Sequence, residues 1–300
     1  MELAIKGGKS LRSGKKWSNW PIWNNSANQY IDEVIHSNRW SVRGAWTGQE
    51  AKEITFSRKF CEYTGTKYCV LTTTGTMGLM ISLEALDISF GDEVIVPALT
   101  WIAPVTAILN VGAIPVMVDV EKETTCIDPE SIRKAIGPKT KGIIAVHLHC
   151  SIANIEEIIK ISKEHNLYVI EDCSQAHGAV WEDRYVGTIG DVGVFSMNQE
   201  KLLTCGEGGA VITNNPQIYE RLFRTKTDGC KFEEPRRIEG EDQLIYDKKC
   251  MGSNFCISEF QAAVLLSQLE NLTQYNNRRR INARYLDEGL GEIQGLMPLK

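Results

Sequence analysis

Phe195-Ser196-Met197-Asn198-Gln199-Glu200-Lys201-Leu202-Leu203-Thr204-Cys205-Gly206-Glu207-Gly208-Gly209 is the stretch whose reading decides the fold. The apolar run 192–197 carries a strand into a short polar loop. One lysine follows, and a glycine-dense turn returns the chain to a second apolar strand, 210–213. An ammonium held between two buried strands has little water around it. Desolvation favours the neutral amine, which is able to form an imine with an aldehyde. A lysine before a glycine turn is also read as a solvated surface charge, so residues elsewhere in the chain must decide.

Working outward, the pattern is strand, turn, helix, repeated. Strands are expected at 67–72, 93–97, 114–118, 142–148 and 167–170, each a near-continuous apolar run. Helices are expected at 49–63, 75–86, 102–111, 153–165 and 216–225, with Asp128-Pro129 as N-cap and first turn of another. Strands this uniformly apolar are covered by helices on both faces, and the alternation implies a largely parallel α/β sheet with right-handed crossovers. A first helix is expected at 29–37 after an irregular arm, 1–28, in which Trp17, Trp20, Pro21 and Trp23 are anchors. The loop 38–48, rich in tryptophan and arginine, reads as surface packing or as a substrate-facing loop. A polar excursion at 229–252 precedes a long amphipathic helix from Ser258 to Leu272, continuing through an Asn/Arg-rich stretch.

Ligands of open α/β sheets bind outside the carboxyl ends of the strands, and candidate groups fall at those ends. Thr72-Thr73-Thr74-Gly75-Thr76 offers hydroxyls, a glycine and free backbone N–H groups at a helix start. It is either an anion cradle, with Gly75 and Thr76 at its centre, or an ordinary N-cap. Asp172 closes the strand beginning at Leu167; set against a pyridine nitrogen, it keeps that nitrogen protonated and makes the ring an electron sink. Its neighbour Glu171 points to the opposite face by strand alternation. Gln175 reaches the ring's phenolic oxygen, Ser196 supplies a hydroxyl to a phosphate, and Trp101 either lies flat on the ring or packs in the core. Phosphate cradle, stacking plate, pyridinium partner and imine lysine occur in chain order at successive strand ends. The set outweighs any member and points to pyridoxal 5'-phosphate chemistry.

Other classes are disfavoured. Three hundred residues suit one large α/β domain and the beginning of a second. A formal charge of -5 with interspersed signs gives no nucleic-acid footprint, and the basic stretch 6–16 reads as a solvated arm. No apolar run approaches the roughly 18 residues of a membrane span, and the start lacks an apolar leader, so a soluble, non-exported protein is expected. Nine scattered cysteines with no CxxC read as reduced thiols of a cytoplasm. His147, His149 and Cys150 end one strand with no second cluster to complete a site, and no metal is expected.

The sequence resembles the DegT/DnrJ/EryC1/StrS family of sugar aminotransferases, within the fold-type I pyridoxal phosphate enzymes. The likeness covers nearly the whole chain and rests on Ala4-Ile5-Lys6-Gly7-Gly8-Lys9, Thr74-Gly75-Thr76, the segment Gly91 to Pro97, the segment Val169 to Gly178, and Lys201 with Thr204 to Gly209. Trp46-Thr47-Gly48, Leu99 to Ala103 and Ser253 to Gln261 look closer to one branch, the glutamine-dependent aminotransferases of scyllo-inosose and 2-deoxy-scyllo-inosose in aminocyclitol antibiotic pathways. The resemblance implies an aspartate aminotransferase-like fold, with Lys201 and Asp172 catalytic. Gly75, Thr76, Trp101, Gln175, Ser196 and Asn254 would bind cofactor. Asn254 would reach the cofactor of a neighbouring subunit, so a homodimer with shared active sites is implied. L-glutamine or L-glutamate would be the donor and a keto cyclitol or nucleotide-linked keto sugar the acceptor. The implied organisation is an arm at 1–28, a large cofactor-binding domain at 29–235, and at 236–300 a linker and the beginning of a smaller carboxyl-terminal domain. The family runs beyond 300 residues, which implies an incomplete small domain and leaves a cofactor-binding protein without turnover as an alternative. Cysteine at 256, glycine at 78 and cysteine at 150 depart from the commoner arginine, alanine and glycine. The related sugar dehydratases, with histidine in place of the imine lysine, are disfavoured by Lys201.

Overall fold

The computed structural model describes residues 2–233, 238–296 and 298. The expected domain boundary at 235/236 lies outside them. In chain order the elements begin with α1 (Ser26–Ser37), α2 (Lys52–Thr64), β1 (Tyr68–Thr72), α3 (Gly75–Ala85), β2 (Glu93–Pro97), α4 (Ala103–Asn110) and β3 (Ile114–Val118). Next come α5 (Pro129–Ala135), β4 (Thr140–Val146), α6 (Ile155–His165), β5 (Tyr168–Asp172) and a small hairpin of β6 (Val180–Trp181) and β7 (Arg184–Tyr185). The chain then forms β8 (Val192–Ser196), β9 (Gly209–Thr213), α7 (Pro216–Lys226), β10 (Cys230–Phe232), β11 (Leu244–Tyr246) and α8 (Glu259–Gly291).

Seven strands make one sheet in the order β1-β9-β8-β5-β4-β2-β3. Neighbours from β8 to β3 run parallel, and β9 runs antiparallel to both β8 and β1. The antiparallel strand follows from the shortness of the segment between β8 and β9, which has no room for a helical crossover and closes as a hairpin. Alternate residues of the strands feed two cores. Val70, Val194 and Val211 pack with α3 and its neighbours on one face, while Leu71, Phe195 and Ile212 pack with Phe56 and Phe60 of α2 and Leu265 of α8 on the other. This is the three-layer arrangement that uniformly apolar strands imply.

Most elements fall where the pattern puts them, and one difference has a tertiary cause. Helix α2 starts at Lys52 instead of 49, because its first free amides are capped from a distance. Glu259 accepts the N–H groups of Lys52 at 2.5 Å and Glu53 at 3.1 Å. Helix α8 runs 33 residues from a capping box of Ser258 and Gln261. Of the amino-terminal tryptophans, Trp20 alone is tied to the body, its Nε1 donating to the Gln199 carbonyl at 3.0 Å. Trp17 and Trp23 are 77% and 58% exposed. The loop 38–48 packs against the body: Trp40 lies 5.5 Å from Phe260 and Arg43 pairs with Asp228.

Glu171, wholly buried, fixes the approach to β8. It accepts N–H bonds from Gly187 (2.8 Å), Ile189 (2.7 Å) and Gly190 (2.7 Å), and one from His147 Nε2 at 3.1 Å. His147 Nδ1 in turn accepts the Ala153 N–H at 3.2 Å, which fixes the tautomer. Burial opposes ionisation, but His147 and the loop amides outweigh it and hold the carboxyl below its usual range. Cys173 lies within 4.8 Å of both side chains, yet the carboxylate is already surrounded by donors, so the trio is a hydrogen-bonded strut. Glu171→Gln strands at least one buried loop amide. Unfolding in urea is expected to show a loss of about 3 kcal/mol, with the midpoint moved and the slope unchanged.

Candidate active site

The carboxyl ends of β1, β2, β4, β5 and β8 open onto a cavity of about 850 Å³. Gly75, Thr76, Trp101, Asp172, Gln175, Ser196 and Lys201 all line it. The eighth candidate, Asn254, does not. It is exposed beside the cradle, its Oδ1 accepting the Cys256 N–H at 3.3 Å. A larger cleft of about 1290 Å³, walled by α6 and by Asp191 at the opposite ends of the strands, contains none of the eight.

The cradle is the first turn of α3. Thr74 caps it, Oγ1 accepting the Met77 N–H at 3.1 Å, and Thr72 Oγ1 donates to the Thr74 carbonyl at 2.9 Å. A Cβ at Gly75 would stand 2.8 Å from the Cβ of Ser196, so only glycine lets the helix start touch the end of β8. The same closeness continues one turn on, where a Cβ at Gly78 would meet Val194 at 2.9 Å. That packing gives a physical role to the glycine in place of the commoner alanine.

Lys201 sits on a hairpin prolonging β8 and β9. Met197 N–H reaches the Gly208 carbonyl and Gln199 N–H the Gly206 carbonyl, both at 2.8 Å, while Lys201 N–H closes a turn on Asn198 O at 2.9 Å. Met197 and Leu203, both 0% exposed, root the hairpin in the second core. Lys201 is half-buried on the cavity wall. Across the cavity Asp172 is buried, and desolvation pushes its carboxyl above the usual range, opposed by the Ser174 hydrogen bonds and the Lys201 charge. Trp101 is 69% exposed, which decides between its two readings: it is a cavity wall and no part of the core.

Sequence reasoning discounted one segment that belongs here. His149 and Cys150 line the cavity at positive φ, 55° and 68°. Held that way, His149 N–H donates to Gln175 Oε1 at 2.9 Å and Cys150 Sγ donates to the Gln175 carbonyl at 2.8 Å. The two contacts fix the Gln175 side chain by its amide oxygen and its backbone by the carbonyl. Thr100, Asn198, Glu200 and Glu207 also line the cavity and were not anticipated. The available signal was cysteine at a position more often glycine.

A lysine hairpin facing a buried aspartate across the carboxyl ends of such a sheet defines a pyridoxal phosphate-dependent aminotransferase. The chain belongs to the DegT/DnrJ/EryC1/StrS aminotransferase family, which matches residues 23–300. It is 44% identical over 296 residues to an L-glutamine:2-deoxy-scyllo-inosose aminotransferase of Micromonospora echinospora, covering 99% of this chain and 70% of that one. A solved aminotransferase from Psychrobacter cryohalolentis superposes with a TM-score of 0.81 at 35% identity, over 92% of this chain and 69% of the other. NtdA of Bacillus subtilis, solved with PMP bound, matches at 28% identity and a TM-score of 0.78, over 91% and 59%.

The residues present fit this cofactor. The Gly75 cradle is kept open by the missing Cβ. Thr100 Oγ1 is buried without a hydrogen-bond partner, and the exposed indole offers a flat face to an aromatic ring. No helix among the described residues is long and apolar enough to cross a membrane.

His177 underlies the site. It is 2% exposed and packs 5.3 Å from the Phe195 ring, and neither ring nitrogen makes a well-formed hydrogen bond. Burial, reinforced by the Lys201 charge, pushes its pKa from 6.5 down to about 3. Below pH 6.5 the unfolded chain therefore binds a proton that the folded chain refuses, and stability falls as pH drops towards 3. The His177 contribution approaches about 1.4 kcal/mol per pH unit. Denaturant unfolding between pH 7 and pH 5 is expected to show a shallower decline in His177→Leu than in the wild type.

Proposed function

We propose that this aminotransferase moves an amino group from L-glutamine or L-glutamate to a keto cyclitol such as 2-deoxy-scyllo-inosose or scyllo-inosose, a step of aminocyclitol antibiotic biosynthesis. The convergence of Lys201, Asp172 and the Gly75 cradle on one cavity carries the chemistry. The likeness to the Micromonospora enzyme supports the substrates.

Bound pyridoxal phosphate supplies an aldehyde that captures amines and a ring that accepts an electron pair. Lys201 would be the amine that holds the cofactor and the group positioned to take up and return a proton at the donor Cα. Asp172 keeps the ring nitrogen protonated; its burial makes the ion pair strong because water does not screen it. Gln175, held through its oxygen by the His149 N–H, would have its amide nitrogen available to donate to the phenolic oxygen. Thr76 and Ser196 give hydroxyls to the phosphate over the α3 amides. Trp101, on the cavity wall, would offer its indole face to the ring.

Two predictions test this reading. Purified protein should be yellow, and borohydride should fix the cofactor to Lys201. Lys201→Ala should lose both the trapped adduct and the consumption of L-glutamine with 2-deoxy-scyllo-inosose, while its circular dichroism stays that of the wild type. A trapped adduct in Lys201→Ala would place the imine on another residue.

The second concerns assembly. Asn254 is exposed and stands outside its own chain's cavity, which supports its serving the phosphate of a partner in a homodimer. Asn254→Ala should then weaken cofactor binding tenfold or more, as expected from about 1.5–3 kcal/mol for a charge-assisted hydrogen bond. Dilution below the dimer dissociation constant should release cofactor, as followed by sedimentation at the cofactor's absorbance. A cofactor-loaded monomer would overturn the shared site.

A further inference from the structure

A lysine side chain is a long, flexible stem, so the direction in which it reaches is set largely at its Cα, by the turn that carries it. The Lys201 turn is poorly restrained by its own sequence. Three of the four residues 206–209 are glycine, with Gly206 at a φ of 90°, and glycine gives the backbone freedom where a reacting group needs precision. The root of the hairpin is secured, since Thr204 Oγ1 donates to the Met197 carbonyl at 3.3 Å and Met197 and Leu203 are buried. Towards the lysine the backbone pairing rests on Gly206 itself, whose carbonyl takes the Gln199 N–H at 2.8 Å.

Asn198, on the cavity wall, braces this turn with both ends of its side-chain amide. Oδ1 accepts the Glu200 N–H at 3.2 Å inside the turn, and Nδ2 donates across the hairpin to Glu207 Oε1 at 2.8 Å. Its backbone carbonyl takes the Lys201 N–H at 2.9 Å. Glu207 is the one residue of 206–209 that carries a side chain, and it is a fixed point. Its carbonyl accepts Gln261 Nε2 at 2.6 Å, and Gln261 is itself locked into the capping box of α8 with Ser258. A line of hydrogen bonds therefore runs from the start of α8 through Glu207 and Asn198 to the peptide groups beside the lysine. The position calls for an amide, which accepts on one side and donates on the other. An acid there would set two carboxylates against each other.

We propose that Asn198 is the positioning residue of Lys201: the brace from its amide to Glu207 holds the lysine turn at the angle from which the amine meets the cofactor and the donor Cα. The inference rests on the reading of Lys201 as the cofactor's anchor and adds the group that aims it. A misplacement of about 1 Å at a reacting group costs up to about 10²-fold in rate. Looseness in this turn is therefore expressed in the steps that use the lysine, and not in substrate binding.

The experiment uses the whole chain and two readouts. Pyridoxal phosphate is added to protein freed of cofactor, and visible absorbance follows its capture by Lys201, in which a C=N bond forms and water leaves. No donor or acceptor is present. Steady-state kinetics of the loaded protein then give kcat and KM for L-glutamine and for 2-deoxy-scyllo-inosose. Asn198→Ala removes the brace and adds no charge. It should slow capture and lower kcat about tenfold, with both KM values within about twofold of the wild type and circular dichroism unchanged. Asn198→Asp should do at least as much, because it keeps the acceptor for the Glu200 N–H but opposes Glu207. Combining it with Glu207→Gln reverses the polarity of the contact at the net charge of the wild type, the new amide donating to the new carboxylate. That double variant should recover to within about threefold of the wild type, a rescue that neither a charge effect nor a merely structural loss would give. It is also the deciding variant should Asn198→Ala fold poorly. Wild-type capture and kcat in both single Asn198 variants would overturn the inference, as would an effect confined to KM or a double variant no faster than Asn198→Asp. Wild-type protein that captures no pyridoxal phosphate would instead sink the cofactor reading on which the inference rests. Capture that responds to Asn198 as expected, without amination of the cyclitol, would uphold the inference and sink only the proposed acceptor.

Discussion

A carboxylate buried beneath the sheet, Glu171, holds this architecture to its function. Strand geometry sends adjacent side chains to opposite faces, so two neighbouring acids at the end of β5 do unrelated work. Asp172 faces the cavity. Glu171 faces inward and gathers three loop amides and an imidazole, which is how a buried charge is tolerated. The loop it gathers delivers the chain to β8. The end of β8 touches Gly75 at the start of α3 and continues into the lysine hairpin. The positions of Ser196, Gly75 and Lys201 thus all trace back to one anchored turn.

The fold was legible because its signals are local. Apolar runs separated by helical spacing name the strands and helices, and the caps at Asp128 and Ser258 mark where two of the helices begin. The cavity residues were legible for a related reason. Each sits at a strand end, and topology brings strand ends together without any information beyond their order. What stayed hidden depends on contacts distant in sequence. Nothing near Lys52 announces that Glu259 will cap its helix, and nothing near Trp101 tells whether an indole faces core or cavity.

The segment His149-Cys150 shows a different kind of blindness. Its residue types suggested metal chemistry, and dismissing the metal also dismissed the place. The backbone acts there together with one side chain, the Cys150 thiol on the Gln175 carbonyl. Two successive left-handed residues turn an amide towards Gln175. Backbone direction is invisible in a side-chain motif, and the left-handed region costs a cysteine on the order of 1 kcal/mol that a glycine would not bear.

Helix α8 can also be regarded as a rigid rod. Its 33 residues span about 50 Å at a rise of about 1.5 Å per residue. It is clamped near its start by the contacts of Glu259 and Gln261 and again midway, where Asn276 holds the His177 carbonyl. Arg280 extends that second clamp, its Nη2 donating to the Gly178 carbonyl at 2.8 Å, and residues 281–291 project past it by roughly 16 Å at the same rise. A rod held at two points turns any small rotation at the clamps into a larger sweep at its tip. A tilt of about 7° there moves the far end by roughly 2 Å, the scale on which packed elements slide in domain closure. Whatever rests on the distal end of α8 is thereby geared to the wall of the cavity, and movement at either place is felt at the other.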